Sequence, residues 1–265
     1  MEKANRLAIG FCFLAVLYLR CMKRKFPLGR LITFDGLDGS GKSTQAKLLL
    51  SHLEKKGYKT AKIDFPQYGQ KSAGLVEEYL KGKYGKADEV GPYAASLFYA
   101  CDRYDASFKI RKWLEKGMIV VSDRYVGSNI GHQGGKIKDK EERKKYLEWL
   151  YHLEYDLFAI PKPDLAFIFK TSPELSRKMS PRITDDEKKK KRKLYLGRKT
   201  RDIHEKDLHH LTNALSAYLE IAKEFPHDFL VIDCLDEKGR WLAPDEIQQK
   251  VWQIVQKYLK NFYKL

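Results

Sequence analysis

Residues 31–53 read LITFDGLDGSGKSTQAKLLLSHL. An apolar, β-rich run leads into GLDGSGKS, Gly36 to Ser43, which fits the spacing G-x-x-x-x-G-K-[ST], and a helix-patterned run follows at once. No other stretch constrains the fold as strongly. The glycines allow a turn tight enough for successive backbone N–H groups to point inward at phosphate oxygens, at the N-terminus of a helix that favours anions. Gly36, Leu37, Asp38, Gly39, Ser40, Gly41, Lys42, Ser43 and Thr44 are therefore candidate phosphate contacts. Lys42 supplies a point charge for the outer phosphates, and the Ser43 hydroxyl is a candidate magnesium ligand. The motif specifies a nucleoside triphosphate but leaves the reaction open.

Four further apolar runs, TAKIDFPQ, MIVVSDRY, LAFIFKT and FLVIDCL, recur between longer segments with helical spacing. That alternation predicts repeated βαβ units and a parallel sheet of five strands. The nearly continuous apolar character of MIVVS and LAFIF predicts strands covered on both faces by helices. A final helix is predicted from Pro244, with Ile247, Val251, Ile254, Val255, Tyr258 and Leu259 on one stripe.

The 265 residues, 43% hydrophobic, suit one domain carrying a charged insertion near 180–202. A net charge of +16 suits a phosphate-bearing partner. The basic residues do not interleave with aromatics in an RNA-reading pattern, so no specific nucleic-acid partner is expected. Cys12, Cys21, Cys101 and Cys234 form no C-x-x-C pair, which points away from zinc or a disulfide framework and toward a reduced, cytoplasmic setting. The apolar run from Leu7 to Leu19 is shorter than the ~20 residues of a membrane-spanning helix. Arg20 follows without an A-x-A-like cleavage site, and Met22 opens a plausible start. Residues 1–21 thus read as an N-terminal extension, either a start-site over-call or a weak hydrophobic segment, 22–265 as the domain, and no stable membrane association is expected.

Asp123 ends a buried strand, where a second carboxylate of a magnesium shell would stand; a helix cap is the alternative. The adjacent Arg124 has a guanidinium able to clamp a phosphoryl oxygen. In the helix-patterned AASLFYACDRYDA, Tyr99 and Arg103 lie only ~40° apart around the axis, whereas Phe98 lies ~140° from Arg103. A ring and a guanidinium on one face can stack a base and grip its phosphate. The alternative places Tyr99 in the core and pairs Arg103 with an acid.

Together FDGLDGSGKSTQ, FPQYG, DRYDA, DRYVGSNIGHQGG and GRKTRDIHEKD resemble the thymidylate kinase family of nucleoside monophosphate kinases, from residue 30 to about 260. The resemblance implies an α/β fold of P-loop NTPase type, a five-stranded parallel sheet flanked by helices on both faces with a mobile basic lid at about 177–202, and a homodimer. It implies transfer of the γ-phosphoryl group of ATP-Mg to dTMP, giving dTDP for dTTP biosynthesis. By motif position it puts Asp38 near the acceptor sugar and phosphate, and Pro66 and Tyr68 in the acceptor pocket. Tyr99 takes the stacking place usually held by phenylalanine. Arg103 and Arg124 hold the acceptor phosphate, and Asn129, His132 and Gln133 face base and sugar. His132 stands where tyrosine is frequent, so selectivity can differ.

Some family members carry an arginine directly after the loop aspartate, but Gly39 occupies that place here. The γ-phosphate contacts then fall to Arg198 and Arg201 at the return of the lid, with Arg177 and Arg182 upstream. Lys188 to Lys193, KKKKRK, reads as a solvated lid tip. Two other readings stand beside this one: a P-loop kinase for another nucleoside monophosphate or a deoxynucleoside, and a basic nucleic-acid-binding protein on the same scaffold. Two guanidiniums left without an anion would be costly, which disfavours a phosphate-free acceptor.

Overall fold

The computed structural model describes residues 29–179 and 208–262. Among them, β1 (Arg30–Gly36), β2 (Thr60–Asp64), β3 (Ile119–Asp123), β4 (Leu165–Lys170) and β5 (Phe229–Asp233) form a parallel sheet in the order β2-β3-β1-β4-β5. All five fall on the apolar runs of the sequence. Helix α1 (Lys42–Lys55) follows β1, and α2 (Gly74–Lys81), α3 (Ala87–Val90) and α4 (Pro92–Glu115) lie between β2 and β3. Helices α5 (Val126–His132) and α6 (Lys140–Tyr151) follow β3, and α7 (Pro173–Met179) follows β4. Helix α8 (Leu208–Glu224) precedes β5, and α9 (Pro244–Phe262) comes last among the described elements.

Burial separates the centre of the sheet from its edges. Every residue of β1 and β3 is buried, while β2 and β5 are only partly covered. Successive side chains of a strand point to opposite faces. Ile32, Phe34, Ile119, Val121, Phe167 and Phe169 thus pack with Leu49 and Leu53 of α1 and with Val251, Val255 and Leu259 of α9. Leu31, Val120, Ala166 and Ile168 pack in a second cluster with Ile110 of α4, Tyr146 of α6 and Leu211 and Tyr218 of α8. Residues of this kind each contribute about 1.5–3 kcal/mol when fully buried. The predicted start of α9 at Pro244 holds, and Ile254 and Tyr258 form the half-buried margin of its stripe.

The sheet order sets the place of the site. The chain runs outward to β2, returns through β3 beside β1, then crosses to β4 and β5. Phe34 is in register with Asp123, so the carboxyl ends of β1 and β3 open side by side at the point where the winding reverses.

Residues 1–21, and from residue 180 onward the expected lid with its lysine run, lie outside the described residues. No described helix is long and apolar enough to cross a membrane. Cys101 and Cys234 are free thiols.

Candidate active site

The loop from Gly36 to Gly41 joins β1 to α1. Gly36 has φ 137°, and a Cβ there would lie 2.7 Å from the carbonyl oxygen of Phe169, so a side chain cannot be accommodated. α1 begins after Gly41 in a left-handed conformation, and no side chain caps its first turn. That leaves a helix N-terminus suited to an anion. Lys42 is buried. Its Nζ donates to the carbonyl oxygens of Gly36 (3.1 Å) and Leu37 (2.6 Å) and to Ser40 Oγ (3.2 Å), so the ammonium bridges the loop. The Ser43 hydroxyl oxygen is buried without a hydrogen-bond partner.

Asp123 is buried at the end of β3, beside the loop. Tyr125, not Asp123, takes the cap position of α5, and no side chain caps that helix, so the helix-cap alternative falls. Arg124 has φ 72°, a conformation that strains a residue with a side chain. A dense set of contacts holds it there. Its backbone N–H donates to Phe34 O (2.8 Å), and its Nη2 donates to the Asp38 carboxylate. Nη1 lies 3.1 Å from Ser128 Oγ, 3.3 Å from His132 Nε2 and 3.4 Å from Gly36 O. Burial works against the charge of Arg124, but Asp38 and further neighbours outweigh it and move the pKa up. Lys42 and Arg124 therefore meet at one carbonyl: both reach Gly36 O, and their nitrogens lie within the sum of those two distances, 6.5 Å, of each other.

Asp35 supports this junction from behind, and nothing in the sequence singled it out. It is buried, and its Oδ1 accepts from Tyr125 N (3.0 Å) and Ser128 Oγ (2.6 Å), which ties the turn after β3 to β1. Burial raises its pKa above the usual carboxylate value, while those two hydrogen bonds and the charges of Arg124 and Lys42 pull the other way.

Beside the junction opens a cleft. Asp38, Pro66, Tyr68, Tyr99, Arg103, Arg124, Asn129, His132 and Gln133 all line it, so every acceptor candidate read from the sequence converges on one space. Phe98 is not part of that wall and meets Tyr84 at a ring separation of 5.5 Å, while Tyr79 meets both Phe98 (6.0 Å) and Tyr99 (6.4 Å). Of the two roles open to Arg103, pairing with an acid is the one seen. Its Nε donates to Glu154 Oε1 (2.9 Å) and its Nη2 to the same oxygen, with both side chains almost wholly buried. Arg103 still forms part of the cleft wall.

Glu154 could not be found from sequence, because it is presented by a π-helical turn, His152–Leu157, that continues α6. Asp102 belongs to the same class. It accepts from Gln67 N (2.8 Å), Gln67 Nε2 (3.2 Å) and Ser72 Oγ (2.7 Å), and so moors the segment bearing Pro66 and Tyr68 to α4. Gln133 is buried, and both its amide nitrogen and its amide oxygen lack a partner. On the other flank, Ser176 of α7 donates to the Asp38 carbonyl oxygen. Arg177 lies on that helix, whereas Arg182, Arg198 and Arg201 lie outside the described residues.

Residues 34–240 match the family model for thymidylate kinase. The chain belongs to the thymidylate kinase family. A thymidylate kinase of Caldanaerobacter subterraneus subsp. tengcongensis is 30% identical over 234 residues, covering 88% of this chain and 98% of the relative. A probable thymidylate kinase of Methanosarcina barkeri is 28% identical over 234 residues, with the same coverage. The thymidylate kinase of Mycobacterium tuberculosis is 28% identical over 223 residues, covering 82% and 99%. Among solved structures, that of thymidylate kinase from Candida albicans superposes with a TM-score of 0.62 at 23% identity, over 89% of this chain and 94% of that one, which shows a shared fold. Thymidylate kinases are phosphotransferases. In this family member the phosphate loop and the neighbouring cleft adjoin at the carbonyl of Gly36.

Proposed function

We propose that the protein transfers the γ-phosphoryl group of ATP to dTMP, giving dTDP. The observation that carries the reading is the convergence of Lys42 and Arg124 on Gly36 O, at the border between a phosphate loop and the cleft that gathers the acceptor candidates. A phosphoryl group passing between the two ligands would remain close to both cations. The nucleophile is an oxygen of the dTMP phosphate. Its bond to the γ-phosphorus forms as the bond from that phosphorus to the β–γ bridging oxygen breaks, and ADP leaves with the electron pair. A monophosphate oxygen is already anionic, so no general base is needed, and the protein contributes position and charge. Arg124, fixed by Asp38, holds the acceptor phosphate, and Lys42 spans the donor phosphates.

The partnerless Ser43 hydroxyl and the Asp123 carboxylate at the strand end fit a magnesium shell completed by phosphate and water oxygens, a hard cation that neutralises phosphate charge when bound. Arg198 and Arg201 are proposed γ-phosphate contacts, because Gly39 leaves the loop without its own arginine. Tyr99 offers a stacking face to the base, and the Gln133 amide offers a donor and an acceptor matching the N3–H and O4 of thymine. Uracil presents the same N3–H and O4, and a turned amide meets the N3 and N4–H of cytosine, so dUMP and dCMP stay within reach of the same site. A single methyl group discriminates by only ~1–3 kcal/mol.

The test is Gln133→Leu, similar in size but without polar atoms. The KM for dTMP is expected to rise about tenfold or more with the KM for ATP unchanged, since a hydrogen bond contributes ~0.5–1.5 kcal/mol and an unpaired base edge costs more. A change in the KM for ATP alone would assign the cleft to the donor.

The protein is further proposed to act as a homodimer in the cytoplasm. Leu97, Tyr104 and Phe108 are exposed on α4 within about 40° of one another around the axis, and Tyr104 also meets Phe158, whose neighbour Leu157 is exposed. Exposed apolar stripes of this kind mark contact surfaces. Phe108→Asp is expected to shift the sedimentation coefficient from that of a dimer to that of a monomer. A wild-type protein that sediments as a monomer at micromolar concentration contradicts the dimer.

A further inference from the structure

We infer that His210 is a positioning residue of the acceptor site, accepting the Nδ1 proton of His132 and so keeping His132 Nε2 as an acceptor for Arg124. His132 is the last residue of α5, and His210 lies in the first turn of α8; both are buried. His132 uses both ring nitrogens. Its Nε2 is 3.3 Å from Arg124 Nη1, and its Nδ1 is 3.3 Å from His210 Nε2.

The direction of this chain follows from one fixed end. An arginine guanidinium only donates, so His132 Nε2 must accept. A neutral imidazole carries a single N–H, which then sits on Nδ1 and points at His210, whose Nε2 must accept in turn. Burial and the adjacent charge of Arg124 both favour the neutral ring of His132. The two imidazoles are inclined by only 21°, and their centroids are 5.6 Å apart. That separation exceeds the N···N distance by about the width of one ring, so the rings lie edge to edge and nearly coplanar, the geometry of a linear N–H···N bond. Packing holds the arrangement. Tyr218 of α8 meets the His132 ring edge-on at 6.0 Å, and it sits so close to α5 that a Cβ on Gly131 would lie 2.2 Å from its ring.

Without an acceptor at position 210, His132 is free to move its proton to Nε2. Two donors would then face each other at Arg124, and the guanidinium would lose one of the contacts that aim it across the cleft. The inference rests on the proposed acceptor role of Arg124, and the test separates the two.

The experiment compares His210→Phe, which keeps a ring without an acceptor, with His210→Gln, whose amide oxygen can accept. It uses the full chain and reads both steady-state kinetics and ¹⁵N chemical shifts of the His132 ring. His210→Phe is expected to raise the KM for dTMP about tenfold, the worth of one hydrogen bond to a charged or buried group, with the KM for ATP unchanged. His210→Gln is expected to restore it. In the wild type, His132 should show a protonated Nδ1 and an unprotonated Nε2, a signature retained in His210→Gln and mixed in His210→Phe. A wild-type His132 carrying its proton on Nε2, or a tautomer unaffected by His210→Phe, overturns the inference. The wild-type spectrum needs neither a variant nor turnover, so it decides the point even if dTMP proves not to be the acceptor.

Discussion

Replacing Lys42 with alanine is expected to lower kcat by about 10³-fold or more, the scale on which single cations act in phosphoryl transfer. The affinity for dTMP should stay within about threefold of wild type, because Lys42 is not part of the cleft wall. The ammonium is bound to two loop carbonyls and Ser40 Oγ, so the variant loses both the charge and a tie across the loop. Lys42→Met, which keeps the side-chain bulk but neither the charge nor the tie, separates loss of the ammonium from loss of packing. If the missing ammonium and not the missing bulk is the cause, methionine is as inactive as alanine. Activity near wild type in Lys42→Met would remove Lys42 from the reaction.

The largest effect on stability is expected at Arg103. Arg103→Ala leaves the Glu154 carboxylate, 0% exposed, without its cation, and breaking a buried pair in this way costs about 3–5 kcal/mol. For a domain of this size that corresponds to a fall in Tm of about 6–20 °C. The pair itself adds little net stability relative to apolar groups of the same shape. The double variant Arg103→Met, Glu154→Leu should therefore regain most of the lost Tm while keeping a raised KM for dTMP. That divergence is the informative result. If activity returned together with stability, Arg103 would be a structural residue only, and the cleft would take its specificity from Gln133, Asn129 and Tyr99.

What could be read from the sequence was what short spacing controls. The phosphate loop declares itself through three glycines, a lysine and two serines in eight residues, and the strands through continuous apolar runs. The 100° step of a helix correctly put Tyr99 and Arg103 on the cleft wall and left Phe98 off it. The remainder depends on contacts between distant segments. Glu154 reaches Arg103 across 51 positions through a π-turn with no pattern of its own. Asp35 looks like any acid in a buried strand until the Tyr125 N–H and Ser128 meet it. His210 gains meaning only because α8 packs on α5. Asp123 was ambiguous between a cap and a magnesium ligand, and the cap was excluded by where α5 begins.

The most direct test of the account is a coupled ADP-release assay on the full chain with ATP-Mg and, in turn, dTMP, dUMP, dCMP, UMP and thymidine, with the products identified by chromatography. The account predicts the highest kcat/KM with dTMP, dTDP as the product and no turnover of thymidine, whose missing phosphate leaves Arg124 without its ligand. ADP release no faster with any monophosphate than with ATP alone, or a preference for thymidine, would contradict it.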